Sequence, residues 1–461
     1  MVKTMCQRDT VEMLNVSKGG LMKCIETAQL RNFLSFNKLK FYSSNFLIRK
    51  ILKTTKLTAS FMVAILIFTG CDDSVATKNN GYYTGTTDLL LVVEDRIYTS
   101  IKTNLDAYIN ALSKKNHNVI AIQYKGGTVK ELRSLLKDYY TKHNIKGAFL
   151  IGNLPAAWYK KRTYNKYNEE FPFDVYLMDF DDIWIDSNGD GMFDNHHAIE
   201  TEIFVSRLKG SVGEINGYLE KVVDYKKGGS LVRKGAFIFK DDDWRNFNYN
   251  NMFGLDSTYE EVNLYQSLDE TTRLKYIDYL TITGAEYVYQ WIHSSSSGLY
   301  IHGYYGSERV GLDDIKKYNF KGSFYNLFDC SAARFVQSNL AMTYLINTDY
   351  GLATLGSTKI GGNWEPQVFH QELASGKTWG EAYRKWYNSK GVKRDDWYLG
   401  MVIFGDPTLL VSQTLKQKFR SIQGSSIEVI VDNKELLQRE YEDSTGDYSK
   451  YKNDNPQFFS K

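Results

Sequence analysis

From residue 88 onward, short apolar runs alternate with stretches of helical period, and few folds accept that alternation. DLLLVVED (88–95) is followed by an amphipathic 97–113, NVIAIQY (118–124), TVKELRSLLKDYY (128–140) and KGAFLIGNLP (146–155). The pattern resumes with TEIFVSRL (201–208), a helix over 212–227, GAFIFK (235–240), a helix over about 269–293 and SGLYIHGYYG (297–306). SFYNLFDCSA (323–332), a helix around 338–347, GLATLGST (351–358), a helix over 366–388 and LGMVIFGDPTLLV (399–411) complete it. Unbroken apolar runs belong to strands buried on both faces, and helices between them are the crossovers a parallel sheet requires. The expectation is an α/β fold, a mostly parallel sheet flanked by helices on both faces. It forms one unit over 88–411, with a division into similar halves at 88–210 and 211–411 left open.

Composition agrees with a globular chain. Of 461 residues 43% are hydrophobic, enough for a full-sized core, and the 5 prolines and 35 glycines follow no period, which excludes collagen-like and proline-rich stalks. The net charge of +3 is unevenly spread: residues 1–70 carry an excess of +8, leaving −5 for residues 71–461. The body has no clustered positive footprint, so nucleic acid is not an expected partner.

The basic front reads as a leader. Arg49, Lys50, Lys53 and Lys56 precede the apolar run LTASFMVAILIFTG (57–70). A charged region followed by an apolar stretch shorter than the about 20 residues of a membrane span is the order of a secretory signal. The run ends at Phe68-Thr69-Gly70-Cys71 before Asp72-Asp73-Ser74, a junction that resembles a bacterial lipoprotein box. On that reading Cys71 takes the lipid, and the chain is exported to the cell envelope and held on the membrane by its N-terminal anchor alone. An ordinary signal peptide or an uncleaved anchor is the alternative. The stretch before residue 45 is long for a signal, which suggests a misassigned start or a cytoplasmic extension. Residues 71–87 read as a polar tether and 412–461 as a polar tail, with IEVIV (427–431) its one strand candidate.

Cys6, Cys24, Cys71 and Cys330 are the four cysteines, so a processed, lipidated chain keeps one free thiol, Cys330. In open parallel sheets reactive groups collect where strands end. His302 follows Leu299-Tyr300-Ile301 and Cys330 follows the run ending at Phe328-Asp329. If their strands are neighbours joined by one crossover, imidazole and thiol share an edge. A thiolate can then attack a carbonyl, the histidine protonate the departing amine, and the N–H groups of Gly303 and Cys330 hold the oxyanion. A small buried hydrophobe is the bland reading of a lone cysteine.

An apolar block ending in His-Gly, then a second ending in Cys, is similar to the pattern of caspases, legumains, clostripain and gingipains. AFLIGNLPAAW (148–158), DVYLMDFDDIWIDSNGDGMFDNH (174–196), EIFVSRL (202–208), IFKDDDW (238–244), LATLGST (352–358) and FGDPTLLV (404–411) narrow the resemblance to the gingipain family of cysteine peptidases, over about residues 88–411. The resemblance implies a caspase/gingipain-like three-layer sandwich and a Cys330–His302 dyad. It places Glu202 as a third member that orients His302, against which stands a solvated strand-start carboxylate. The chain departs from the family in Ile301 before His302, Asn153 after the Ile-Gly strand, and Asp329 before the cysteine, where a small residue is common.

Asp186, Asn188, Asp190 and Asp194 put oxygen side chains at alternate positions with Gly191 sixth, as in the first half of an EF-hand loop, but the twelfth position is His197 instead of Glu. Structural Ca²⁺, as the family implies, competes here with an Asx-rich turn that holds no ion. No organic cofactor is expected. Asp181, Asp182, Asp241 and Asp242 are candidate carboxylates at the substrate edge that would favour a basic residue. His293 is an alternative base. The leading expectation is an exported cysteine endopeptidase acting on protein or peptide substrates. A sorting transpeptidase using the same dyad and a catalytically silent, calcium-binding surface interaction protein are the alternatives. Asp329 feeds the last, because a carboxylate beside a thiol disfavours the thiolate.

Overall fold

The structure is a computed structural model and describes residues 88–162, 168–229, 232–247, 252–303, 306–363, 365–391 and 396–412. The leader, Cys71, the tether and the tail with IEVIV lie outside the described residues.

The strands in chain order are β1 (Leu89–Glu94), β2 (Val119–Tyr124), β3 (Gly147–Ile151), β4 (Ala157–Arg162), β5 (Asn168–Phe173), β6 (Phe204–Leu208), β7 (Ala236–Lys240) and β8 (Val262–Tyr265). They continue with β9 (Ala285–Trp291), β10 (His293–Ser295), β11 (Gly298–Gly303), β12 (Gly306–Gly311), β13 (Gly322–Phe328), β14 (Ala353–Ser357) and β15 (Met401–Gly405). The helices are α1 (Asp95–Ser113), α2 (Val129–His143), α3 (Val175–Met178), α4 (Val212–Lys226), α5 (Arg273–Asp278), α6 (Leu312–Tyr318), α7 (Leu340–Ile346), α8 (Gln367–Ala374) and α9 (Trp379–Gly391).

Ten strands form one sheet in the order β2-β1-β3-β6-β15-β14-β13-β9-β7-β8, and helices flank it as a three-layer α/β sandwich requires. Residues 89–93 of β1 and all of β3, β6, β7, β9 and β13 are buried, the pattern of strands covered on both faces. Capping boxes start two of the crossover helices: Thr128 with Glu131 at α2, and Ser211 with Glu214 at α4.

One pairing governs where the chemistry can sit. β15 runs parallel to β6 but antiparallel to β14, while every other pairing in the large sheet is parallel. The sheet is therefore two parallel sets running in opposite directions. The carboxyl ends of β7, β9, β13 and β14 share an edge with the amino ends of β1, β3, β6 and β15. Strands before residue 210 and strands after it fall on opposite sides of the β6–β15 junction in one continuous sheet.

Three local expectations are corrected. The helix expected over 269–293 is α5, a short π-helical turn at Tyr279–Thr283, and then β9, a fully buried strand. Its run Glu286-Tyr287-Val288-Tyr289-Gln290-Trp291 is aromatic and β-branched, which suits a sheet interior and outweighs the apparent helical period. The helix over 366–388 is two helices separated at Ser375-Gly376, where Gly376 takes a φ of +87°. The strand carrying His302, β11, belongs to a separate antiparallel sheet, β10-β11-β12, and not to the large one. The strand that leads to Cys330, β13, lies between β9 and β14.

Candidate active site

Cys330 lies just beyond β13 and is partly exposed. The next residue, Ser331, adopts a left-handed φ of 58° and donates its N–H to Lys359 O at 2.8 Å. A non-glycine residue in that region is uncommon, and it turns the chain sharply beside the thiol. Across the turn Gly362 presses on the strand end, where a Cβ would come within 2.6 Å of Phe328 Cα, so only glycine lets residues 361–363 pass this close. Beneath lies an aromatic floor: Trp291 and Trp244 pack on Phe328 with ring centroids 4.2 and 5.2 Å away, and Trp244 also covers His293 at 4.9 Å.

His302 is positioned from the small sheet. After β9 the chain leaves the large sheet through Ile292 and doubles back as β10 and β11, with His293 paired to Tyr300. The amide of His302 donates to Asp241 Oδ2 at 2.9 Å, and the amide of Asp241 donates to Trp291 O at 3.0 Å. Cys330 is tied to the adjoining residues, since Ser294 Oγ donates to Cys330 O at 2.8 Å. The backbones of Cys330 and His302 are therefore both tied to the four residues Trp291–Ser294, that of His302 through Asp241.

The imidazole is faced by two carboxylates. Nδ1 of His302 lies 3.0 Å from Asp243 Oδ1 and 3.3 Å from Asp242 Oδ1, and both aspartates are nearly buried on the turn after β7. Asp243 Oδ2 is also 3.5 Å from His293 Nε2. His293 is buried against this carboxylate while His302 is about one-third exposed, so the exposed imidazole is the one placed for proton transfer to a substrate.

Glu202 does not occupy the expected place. It heads β6, and five inter-strand spacings of about 4.8 Å separate β6 from β7, after which His302 is held, a distance of about 24 Å. Its carboxylate instead accepts from Phe180 N at 2.6 Å and sits in a cluster with Asp179 and Asp181. Burial raises both Glu202 and Asp179, the latter to about 6. The carboxylates at the imidazole are Asp242 and Asp243. The IFKDDDW run that ends β7 carried that signal, as acid residues where a strand stops.

The acidic residues expected at the substrate edge divide. Asp241 is fully buried and accepts from the amides of His302 and Asp242, and burial pushes its carboxyl up to about 8. Asp182 turns its carboxylate inward, accepting from Ile183, His197 and Ala198 amides. Neither can line a substrate pocket. Asp242 faces His302, and Asp181 is exposed in the cluster with Glu202.

Asp329 turns its carboxyl into the sheet instead of toward solvent. It is buried, points back under β9 and accepts from Ile292 N at 3.1 Å and from Gln290 Nε2. Burial raises its carboxyl well above the usual range.

In the acidic loop the oxygens are taken up locally. Asp186 accepts from the amides of Gly189, Asp190 and Gly191, Asn188 from Asp190 N, and Asp194 from Ser187. Asp190 accepts from Met192 N and, at 3.2 Å, from the Lys160 ammonium. An all-oxygen set suits a hard cation, but here a lysine holds Asp190. Among the described residues the groups of three converging ligand atoms are Asp242–Asp243–His302 and Asp179–Asp181–Glu202. As arranged the loop does not fit Ca²⁺, and no chemistry below is routed through it.

No family model matches the chain, and no curated protein matches it. Among solved structures, the crystal structure of a periplasmic binding protein/LacI transcriptional regulator from Alkaliphilus metalliredigens QYMF complexed with D-xylulofuranose aligns with 63% of this chain and 91% of its own. The identity is 9% and the TM-score 0.14, which is too low to bear on fold or function.

Proposed function

We propose that this protein is a cysteine peptidase of the gingipain type, with Cys330 as nucleophile and His302 as general acid and base. The reading rests on one observation: the backbones of Cys330 and His302 are tied to the same segment, Trp291–Ser294, and Asp242 and Asp243 back the imidazole at Nδ1. A carboxylate pair at Nδ1 keeps the proton on that nitrogen and leaves Nε2 to exchange protons with thiol and substrate.

Cys330 Sγ, as thiolate, attacks the scissile carbonyl, and the oxygen gains the negative charge. The amides of Gly303 and Cys330 are the donors for that oxyanion. As the C–N bond breaks, His302 Nε2 gives its proton to the departing amine, and an acyl-enzyme thioester remains. Water then attacks the thioester, losing its proton to the same nitrogen. An incoming amine in place of water would make the enzyme a transpeptidase. Export and anchoring through Cys71 complete the proposal.

The test is incubation of protein beginning after Cys71 with a mixed peptide library, beside Cys330→Ala and His302→Ala, with products read by mass spectrometry. Cleavage lost in both variants supports the peptidase, and ligated products move it to transpeptidase. Identical product sets from all three proteins would leave a silent binding module.

A further inference from the structure

Asp329 is where this chain departs most sharply from a small residue before the nucleophile, and its surroundings give the departure a use. Its two carboxylate oxygens both reach β9 and its exit: Oδ1 accepts from Ile292 N at 3.1 Å and Oδ2 from Gln290 Nε2. Gln290 Oε1 in turn accepts from Tyr276 Oη at 2.6 Å, and Tyr276 Oη lies 2.8 Å from Tyr344 Oη. Every member of this chain is buried, and it runs from α7 and α5 through β9 to the residue beside Cys330.

Ile292 is the pivot at which the polypeptide leaves the large sheet to build the small one that carries His302. Asp329 therefore grips the pivot from the nucleophile's side, Ser294 Oγ grips Cys330 O two residues on, and Asp241 links His302 N to Trp291 on the other side.

We propose that Asp329 is a positioning residue, a buried strut that fixes the separation and angle between the Cys330 thiol and the His302 imidazole by tying the nucleophile's turn to Ile292 and Gln290. This rests on the dyad reading above and deepens it. Without the carboxyl, the buried amides of Ile292 and Gln290 lose their acceptor, and the pivot is released. A displacement of about 1 Å between reacting groups costs on the order of 100-fold in rate. Asparagine can replace the strut. Its amide oxygen accepts from Ile292 N, and its NH₂ meets a Gln290 turned to present Oε1, while Tyr276 Oη accepts from Gln290 and donates to Tyr344.

The experiment needs no substrate: the rate of Cys330 alkylation by iodoacetamide is followed from pH 4 to 10 in the parent, His302→Ala, Asp329→Ala, Asp329→Asn and Gln290→Leu proteins. The expected parent profile shows thiolate well below the ordinary thiol value of about 8.5, lost in His302→Ala. Asp329→Ala should move toward the His302→Ala profile, Asp329→Asn should return to the parent's, and Gln290→Leu should fall between. A folded Asp329→Ala protein that keeps the parent profile overturns the strut and leaves the dyad standing. Should Asp329→Ala not fold, Gln290→Leu decides: a parent-like profile there overturns the strut. Coincident parent and His302→Ala profiles overturn the dyad and the strut with it.

Discussion

Replacing Arg207 by methionine should cost this domain far more than a surface charge would. Arg207 ends β6 inside the EIFVSRL run, and its side chain is almost wholly buried. Nε and Nη2 hold the buried carboxylate of Asp174 at 2.7–3.0 Å, Nη1 donates to Leu154 O at 3.2 Å, Nη2 to Pro155 O at 2.9 Å, and the guanidinium lies 4.4 Å over the Phe335 ring. One side chain thus joins β6, the approach to β4, the start of α3 and the segment leaving Cys330. Methionine fills similar space but leaves Asp174 buried without its counter-charge, and breaking such a pair from one side costs about 3–5 kcal/mol. With an unfolding entropy of about 2.1 cal/mol/K per residue over residues 88–412, the midpoint should fall by about 4–7 °C. Thermal unfolding followed by near-ultraviolet circular dichroism measures it. The double variant Asp174→Leu/Arg207→Met removes the orphaned charge and should recover most of the loss. A single variant within about 1 °C of the parent, or a double variant no better than the single one, would refute the reasoning.

Asp243→Asn should lower kcat by roughly 100- to 10,000-fold with little change in KM, because the amide no longer holds the imidazole proton at Nδ1; steady-state kinetics on a cleaved peptide would show otherwise if KM carried the loss. His370 is buried, its Nδ1 donates to Phe253 O and its Nε2 lies 2.8 Å from Tyr287 Oη, and burial pushes it down to about 4. Its folded value lies below the unfolded one of about 6.5, so stability falls as pH drops from about 6.5 to 4, by up to about 3 kcal/mol. Urea titrations of parent and His370→Gln protein should differ in that window, and parallel pH dependences would be the contrary result. Millimolar calcium or a chelator should leave the midpoint unchanged within about 1 °C, whereas a calcium-dependent rise of several degrees would mean that Asp190 exchanges Lys160 for the ion.

The apolar runs at 88–95, 146–155, 201–208, 235–240, 323–332 and 399–411 fixed the class of fold in advance, because a strand buried on both faces admits no polar alternation. The same local logic marked His302 and Cys330, each following an apolar run. It misread residues 285–291, whose burial on both faces removes the period that separates strand from helix, so only pairing with β7 and β13 decides. It also placed β11 in the large sheet, since an isolated strand reads the same wherever it hydrogen-bonds.

What tertiary structure alone decided was partnership. The family resemblance put Glu202 beside His302, whereas strand order leaves four strands between β6 and β7 and brings Asp242 and Asp243 to the imidazole instead. Asp329 looked like a charge beside the thiol and is a buried acceptor turned toward Ile292 and Gln290. Burial and direction belong to the packed chain, and a carboxyl group takes its chemistry from what surrounds it more than from its position along the sequence.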